Sequence, residues 1–165
     1  MRRFLIAASI LALPGCALQP LYAGGSSGVV AGSLRQVSVD TIEGRNGWLV
    51  FNKLKERLGD ADAAQPAYRL QVQLDDAIIG LGIRGDRAAT RERRTLRARF
   101  QLVSLSTGLV VLDATAGSDA GIDVVSSEYA TVAAEQTALE NLAGIVADQI
   151  VARLAFYGGR GQQGQ

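Results

Sequence analysis

The residues of this sequence best suited to binding chemistry are arginines clustered in one short segment. Residues 84–99 contain seven arginines, no lysine and two acidic residues, which gives a formal excess of five positive charges. The arginines are at positions 84, 87, 91, 93, 94, 97 and 99. A guanidinium group pairs bidentately with phosphate or carboxylate and is more weakly hydrated than an ammonium group. The segment is therefore a candidate contact site for anionic groups.

Alternation of residue types predicts that part of this segment is a strand with one polar side. Apolar residues recur at every second position from Leu96 to Leu102, and the intervening residues are polar. If this strand pairs with the preceding one, Arg69 joins the same polar face, which would have a positive centre. The candidate binding residues on that face are Arg69, Arg91, Arg93, Arg97 and Arg99.

Two other interpretations of the cluster are open. The arginines could lie on a solvated strand and loop, where their charges only discourage edge-to-edge pairing with another chain. They could also bind nucleic acid, which requires a larger basic footprint and usually aromatic stacking platforms. The formal charge of the whole chain is only +1, and Phe100 is predicted to point to the core. We therefore expect no nucleic-acid partner.

The sequence contains few side chains that could act in covalent catalysis. The chain has no histidine and a single cysteine, so it lacks the commonest general base and the commonest metal ligand, and it cannot form an internal disulfide. Its only lysines, Lys53 and Lys55, are predicted on a helix surface, and no Gly-x-Ser-x-Gly motif is present. Asp75 and Asp76 are adjacent, but consecutive strand residues point to opposite faces. We predict no enzymatic activity, no metal site and no cofactor.

The amino terminus has the pattern of an export signal. Arg2 and Arg3 precede the apolar run 4–13. Ten residues of helix rise about 15 Å, half of a roughly 30 Å hydrocarbon core, which is too short for a stable membrane anchor. We predict a cleaved signal peptide over residues 1–15.

The only cysteine follows this run directly. The segment Leu13-Pro14-Gly15-Cys16 resembles a bacterial lipobox, in which the cysteine is lipidated and cleavage precedes it; Pro14 departs from that pattern. Several acyl chains are needed for stable anchoring. We predict that Cys16 is the lipid attachment site. The alternative is a buried free cysteine behind an ordinary signal peptide.

The rest of the chain is predicted to be one α+β domain. Residues 16–33 are interpreted as the lipidated cysteine and a flexible tether, and 158–165 as a disordered tail, so the domain spans 34–157. Strands are predicted over 34–42, 66–75, 95–102 and 109–116, and helices around 51–58 and over 127–157. A bulge or strand end is expected after Asp76, and a hairpin turn at 106–108. The order β-α-β-β-β-α favours an antiparallel four-stranded sheet with both helices packed on one face.

Two motifs resemble those of the lipopolysaccharide-assembly lipoprotein family, LptE, in its alphaproteobacterial form. The first is Cys16 followed by Gln19-Pro20-Leu21-Tyr22. The second is the last helix, from Tyr129-Ala130 through Ala147-Asp148-Gln149-Ile150 to Arg153-Leu154-Ala155-Phe156-Tyr157. The resemblance covers nearly the whole chain and includes the order of elements.

The resemblance implies a function and a location. It implies a lipoprotein on the periplasmic side of the outer membrane, since Ala17 stands where Asp would signal inner-membrane retention. Its partners would be the β-barrel lipopolysaccharide-assembly protein LptD, which it would plug and help to assemble, and lipopolysaccharide, which it would help deliver to the outer leaflet. The phosphates of lipid A would then be ligands for the arginine face. The alternatives are a lipoprotein accessory of a trans-envelope lipid transporter and a hydrolase that works without histidine.

Overall fold

Three long strands and one long helix make up most of the described chain. The computed structural model describes residues 29–59, 66–83 and 89–160. The predicted signal peptide, Cys16 and residues 161–165 lie outside these ranges. In chain order the elements are α1 Val29–Leu34, β1 Val37–Val39, α2 Gly44–Leu58, β2 Tyr68–Ile83, β3 Ala89–Ser104, β4 Val110–Asp123 and α3 Glu128–Arg160.

The four strands form one mixed sheet in the order β1-β2-β3-β4. The α+β class is confirmed, but the prediction of a purely antiparallel sheet is wrong, because β1 pairs with β2 in parallel, from Val37↔Tyr68 to Val39↔Leu70. The connection between β1 and β2 explains their parallel pairing. Helix α2 joins the two strands as a crossover, which brings the chain back to the same end of the sheet. Strand β1 also has only 3 residues, fewer than predicted.

Strands β2 and β3 form a long antiparallel ladder. Its register runs without a break from Tyr68↔Ser104 to Leu81↔Arg91, so the bulge predicted after Asp76 is wrong. Asp76 continues the helix-facing side of β2 and forms an ion pair there with Arg94. A polar pair thus occupies a place where alternation requires an apolar residue. The one irregularity of the β3–β4 pairing lies at Leu102/Val103.

The predicted hairpin between β3 and β4 is confirmed. The two strands are antiparallel neighbours. The turn is closed by hydrogen bonds from the Ser104 amide to the Leu109 carbonyl, at 2.9 Å, and from the Gly108 amide to the Ser104 carbonyl, at 2.8 Å. Gly108 has φ of +71°, a conformation that glycine adopts at no steric cost.

The core lies between the sheet and helices α2 and α3. The predicted apolar stripe of α3 is confirmed, since each of its members is at most 3% exposed: Leu139, Leu142, Val146, Ile150 and Leu154. Helix α2 contributes Val50 and Leu54, both fully buried. It begins earlier than expected and includes Gly47, whose added Cβ would lie 2.5 Å from the Ile42 carbonyl oxygen. Glycine therefore permits the close approach at this point.

Both ends of the domain are more helical than the sequence indicates. Residues 29–33, which we assigned to the flexible tether, belong to helix α1. Leu34, the last residue of this helix, is buried in the core. Helix α3 continues to Arg160, beyond the predicted end at residue 157. The two helices touch, and an added Cβ on Gly158 would lie 2.6 Å from Ser33 Oγ. None of the described helices combines the length and apolarity needed to span a membrane.

Candidate functional site

The side of the sheet that faces away from α2 and α3 carries the candidate residues. We call this side the outer face; it presents the odd-numbered residues of β2 and β3. The structure places all five candidate arginines there with exposed side chains: Arg69, Arg91, Arg93, Arg97 and Arg99. The even-numbered residues Leu96, Ala98 and Phe100 are buried on the opposite side, as the alternation predicts. Arg84 and Arg87 lie outside the described residues.

Aspartates neutralise most of these arginines. Strand β4 brings three carboxylates beside β3, with ion pairs Arg91–Asp123 at 2.9 Å, Arg97–Asp119 at 3.1 Å and Arg99–Asp113 at 2.8 Å. Arg69 lies 3.6 Å from Asp40, and the exposed Asp75 stands opposite Arg97 in the register. The expected positive centre is therefore wrong. That expectation considered one segment of the sequence, whereas strand pairing adds acids from another.

Arg97 depends on a glycine to reach its partner. Its side chain lies across Gly117 of β4, where an added Cβ would be 2.4 Å from Arg97 Cδ. From there Arg97 donates hydrogen bonds to the Ser118 carbonyl, at 3.0 Å, and to both oxygens of Asp119, at 3.1 and 3.2 Å. The sequence analysis missed Gly117. A glycine inside a strand is the signal that could have found it, since such residues often mark close approach of another group.

Two aspartates of the outer face, Asp113 and Asp119, have lowered pKa values. Hydrogen bonds from Arg99 and Gln101, together with the charge of Arg99, lower the pKa of Asp113 to about 2. The pKa of Asp119 is lowered by hydrogen bonds from Thr95 and then from Arg97. The bond to Asp113 in turn raises the pKa of Arg99. Near neutral pH these residues are therefore internally paired charges.

Arg93 differs from the other four arginines. It stands between Ile79 and Gly121 in the register, and its exposed side chain makes no hydrogen bond or ion pair with another described residue. Its charge contributes to the lowered pKa of Asp119. Its guanidinium is therefore the one of the five most available to an external anion. The neighbouring Arg94 points to the helix side and is 8% exposed.

The β4 edge of the sheet is covered at one point by α3. The Gly117 amide donates to Gln149 Oε1 at 2.9 Å, and Gln149 Nε2 donates to the Gly117 carbonyl at 3.2 Å. This carboxamide takes the place of a neighbouring strand at the β4 edge, a position that proteins commonly protect. Strand β3 lies between β2 and β4, so its arginines do not protect an edge of the sheet, and that part of the solvated-strand interpretation is wrong. The arginines of the outer face are exposed on the strand, as the other part of that interpretation expects.

A shallow polar concavity follows the centre of the outer face. We call it the trough; its volume is about 750 Å³, and its polar side chains are Gln73, Asp75, Arg97, Arg99, Thr115 and Gln149. A smaller depression of about 180 Å³ adjoins it and shares Gln73 and Arg99. Across residues 29–59, 66–83 and 89–160, no three side chains of the types that bind metals lie together. The arrangement is suited to hydrogen bonding.

Comparison with known families decides the identity of the chain. The family model LptE, described as Lipopolysaccharide-assembly, matches residues 34–154, from the end of α1 to near the end of α3. The chain belongs to the LptE family. The resemblance carried by the sequence motifs is thereby confirmed, and the match lies within the predicted folded part.

The fold of this LptE family member recurs in solved structures of bacterial lipoproteins. A candidate lipoprotein from Caulobacter crescentus CB15 superimposes with a TM-score of 0.65 at 21% identity, over 79% of this chain and 96% of that one. Rare lipoprotein B from Shewanella oneidensis gives 0.55 at 13% identity, over 76% and 96%. A minor lipoprotein from Acinetobacter baumannii gives 0.54 at 15%, over 72% and 87%. At these identities the likeness shows a shared fold. No curated protein matches the sequence.

Proposed function

We propose that this LptE family member is an outer-membrane lipoprotein, held on the periplasmic side by lipid on Cys16. In this proposal it plugs and assists assembly of the LptD barrel and helps deliver lipopolysaccharide to the outer leaflet. The observation that carries the proposal is the match of the lipopolysaccharide-assembly family over residues 34–154. The lipobox resemblance around Cys16 supports the anchor.

The described surface supports a role inside a wide polar lumen. The outer face is mostly polar, apart from the exposed Ile79 beside Arg93, and its charges are balanced, so it can lie beside water and a polar protein wall without large desolvation costs. Two aromatic side chains outside that face are available for protein contacts, since Trp48 is 62% exposed and Tyr129 is 86% exposed. Trp and Tyr are the residue types most enriched at interaction hot spots. We assign the barrel contacts to the helix side of the domain.

Lipopolysaccharide is the proposed ligand of the outer face, through Arg69, Arg91, Arg93, Arg97 and Arg99. Arg93 makes the phosphate contact, because the other four already have carboxylate partners. A lost charge-assisted hydrogen bond weakens binding by roughly tenfold or more. Binding of purified lipopolysaccharide should therefore fall in Arg93→Ala and stay unchanged in the control Arg153→Ala, which removes an exposed arginine from α3. Equal binding by Arg93→Ala and the wild type would count against this contact.

Copurification tests the whole proposal. Full-length tagged protein is purified from native outer membranes, and its partners are identified and quantified by mass spectrometry. We expect an LptD-type barrel in comparable amount, and loss of membrane association in Cys16→Ala. Recovery of a trans-envelope transporter complex would favour the alternative function. An intact mass showing an unmodified thiol at Cys16 would contradict the anchor.

No covalent step is part of the proposed function. The chain contains no histidine, and its two lysines lie on α2, with Lys53 paired to Glu56 at 3.3 Å. The role that we propose is binding and positioning only, with no cofactor.

A further inference from the structure

The trough has two properties that do not suit a densely charged anion. The guanidiniums of Arg97 and Arg99 already face Asp119 and Asp113, so a phosphate would have to displace a carboxylate or lie beside it. Asp75 adds a further negative charge to the lining. Electrostatic complementarity therefore favours a ligand whose bound part carries no net charge.

The same lining is rich in groups that bind hydroxyls. The side chains of Gln73 and Thr115 make no hydrogen bond with another described residue, and both are exposed in the trough. Each has both donor and acceptor capacity. The adjoining depression adds Gln71 and Gln101. Every side chain in these two concavities that projects from the outer face is polar, and the apolar lining residues Leu74, Ala98 and Ala116 belong to the helix-facing side.

We infer that the trough binds an oligosaccharide, the sugar portion of the glycolipid that this protein handles. The inference rests on the proposed function for the identity of the glycolipid, and it divides recognition into two parts. Sugar hydroxyls contact Gln73, Thr115 and the paired charges, whereas a phosphate contacts Arg93 farther along β3. No aromatic ring is among the described residues that line the trough, so affinity depends on a few hydrogen bonds. Three or four such bonds correspond to a dissociation constant on the order of 1 mM.

The test uses the full lipoprotein, labelled with ¹⁵N and solubilised in detergent, and three probes. They are a phosphate-free oligosaccharide released from lipopolysaccharide, lipid A without the outer sugars, and inorganic phosphate. We expect the oligosaccharide to shift backbone amide signals of the trough residues, and lipid A and phosphate to leave those signals in place. Shifts of the trough amides by phosphate or lipid A but not by the oligosaccharide would overturn the inference. So would a trough that responds to no probe.

Matched variants separate the site from general effects. The double variant Gln73→Val, Thr115→Val removes one amide and one hydroxyl from the trough and leaves every ion pair intact. The control Gln136→Leu, Thr137→Val removes the same groups from the surface of α3. We expect oligosaccharide binding to weaken by about fivefold or more in the first variant, the effect of one or two lost hydrogen bonds, and to stay unchanged in the control. Equal binding by both variants would contradict the inference.

The results also separate this inference from the proposed function. If the oligosaccharide fails to bind while intact lipopolysaccharide binds and the barrel copurifies, only the sugar site is wrong. If the oligosaccharide binds in the trough but no barrel copurifies, the sugar site stands and the proposed function falls.

Discussion

Arg94 and Asp76 form a buried bidentate ion pair on the helix side of the sheet. Arg94 Nε lies 2.9 Å from Asp76 Oδ1 and Arg94 Nη2 lies 2.5 Å from Asp76 Oδ2, with the two side chains 10% and 13% exposed. Asn46 of α2 donates to the same carboxylate at 2.6 Å, and Arg94 donates to the Glu135 carbonyl of α3 at 3.0 Å. The hydrogen bond to Asp76 raises the pKa of Arg94. One pair thus joins strands β2 and β3 to helices α2 and α3.

Removing one member of this pair should destabilise the domain strongly. In Asp76→Ala, Arg94 stays buried without its partner, and we expect the free energy of unfolding to fall by about 3 kcal/mol or more. Urea denaturation measures this value. The double variant Asp76→Leu, Arg94→Met should recover most of the loss, because apolar residues can replace a buried pair. A double variant no more stable than Asp76→Ala would contradict this account. The control is Glu56→Ala, which removes an exposed ion pair and should change the free energy of unfolding little.

Two helix glycines should respond in opposite ways to alanine. Gly47→Ala places a Cβ 2.5 Å from the Ile42 carbonyl oxygen, and we expect a loss of stability of about 1–3 kcal/mol from overpacking. In Gly144→Ala the added Cβ has only Arg57 Nη2 near it, at 3.8 Å. We therefore expect the free energy of unfolding to rise by up to about 1 kcal/mol, from the higher helix propensity of alanine. Thermal unfolding of the two variants measures the difference. A Gly47→Ala protein as stable as Gly144→Ala would show that the close approach of Ile42 to position 47 does not require glycine.

The Arg99–Asp113 pair should make acid stability depend on pH in a defined window. Because the pKa of Asp113 is lowered to about 2, the contribution of the pair is complete above the ordinary aspartate value near 3.9 and is lost as pH falls through about 2. In Arg99→Gln the Asp113 midpoint should move towards the ordinary value, as followed by ¹³C NMR of the carboxyl. Arg91→Gln is the control, since Arg91 pairs with Asp123. An Asp113 midpoint unaltered by Arg99→Gln would contradict the assigned cause.

Gln149 should protect the β4 edge at Gly117. In Gln149→Leu the Gly117 amide loses its acceptor, and we expect its hydrogen exchange to accelerate by about fivefold or more, the equivalent of one hydrogen bond. Gln136→Leu makes the same side-chain change elsewhere on α3 and should leave that exchange rate unaltered. Self-association through the uncovered edge should also increase, which analytical ultracentrifugation can detect. Unchanged exchange at Gly117 would mean that Gln149 does not cover the edge.

Elements with a strong local pattern were predictable from the sequence. The apolar stripe of α3 recurs at helical spacing, and all its members are buried. Alternation in β2 and β3 correctly assigned the arginines that face away from the helices. Serine, threonine and glycine at 106–108 identified the hairpin. In each case the signal and the structure that it specifies are only a few residues apart.

Features that depend on distant residues were not predictable in the same way. Strand β1 lies within the predicted strand 34–42, but its short length and its parallel pairing, which follows from the path of α2, were not predicted. Asp76 looks like a strand end until Arg94 is known to lie beside it. The charge of the outer face changes once β4 brings Asp113, Asp119 and Asp123 next to β3. Long-range pairing supplies these partners, and no local spacing encodes them.

The most direct test of the central claim is the amount of lipopolysaccharide at the cell surface after this protein is depleted in its native host. Surface lipopolysaccharide is quantified with an impermeant label, and total lipopolysaccharide is quantified in fractionated membranes. We expect surface lipopolysaccharide to fall while total lipopolysaccharide is maintained, and wild-type protein but not Cys16→Ala to restore it. Unchanged surface lipopolysaccharide in depleted cells would contradict a role in its assembly.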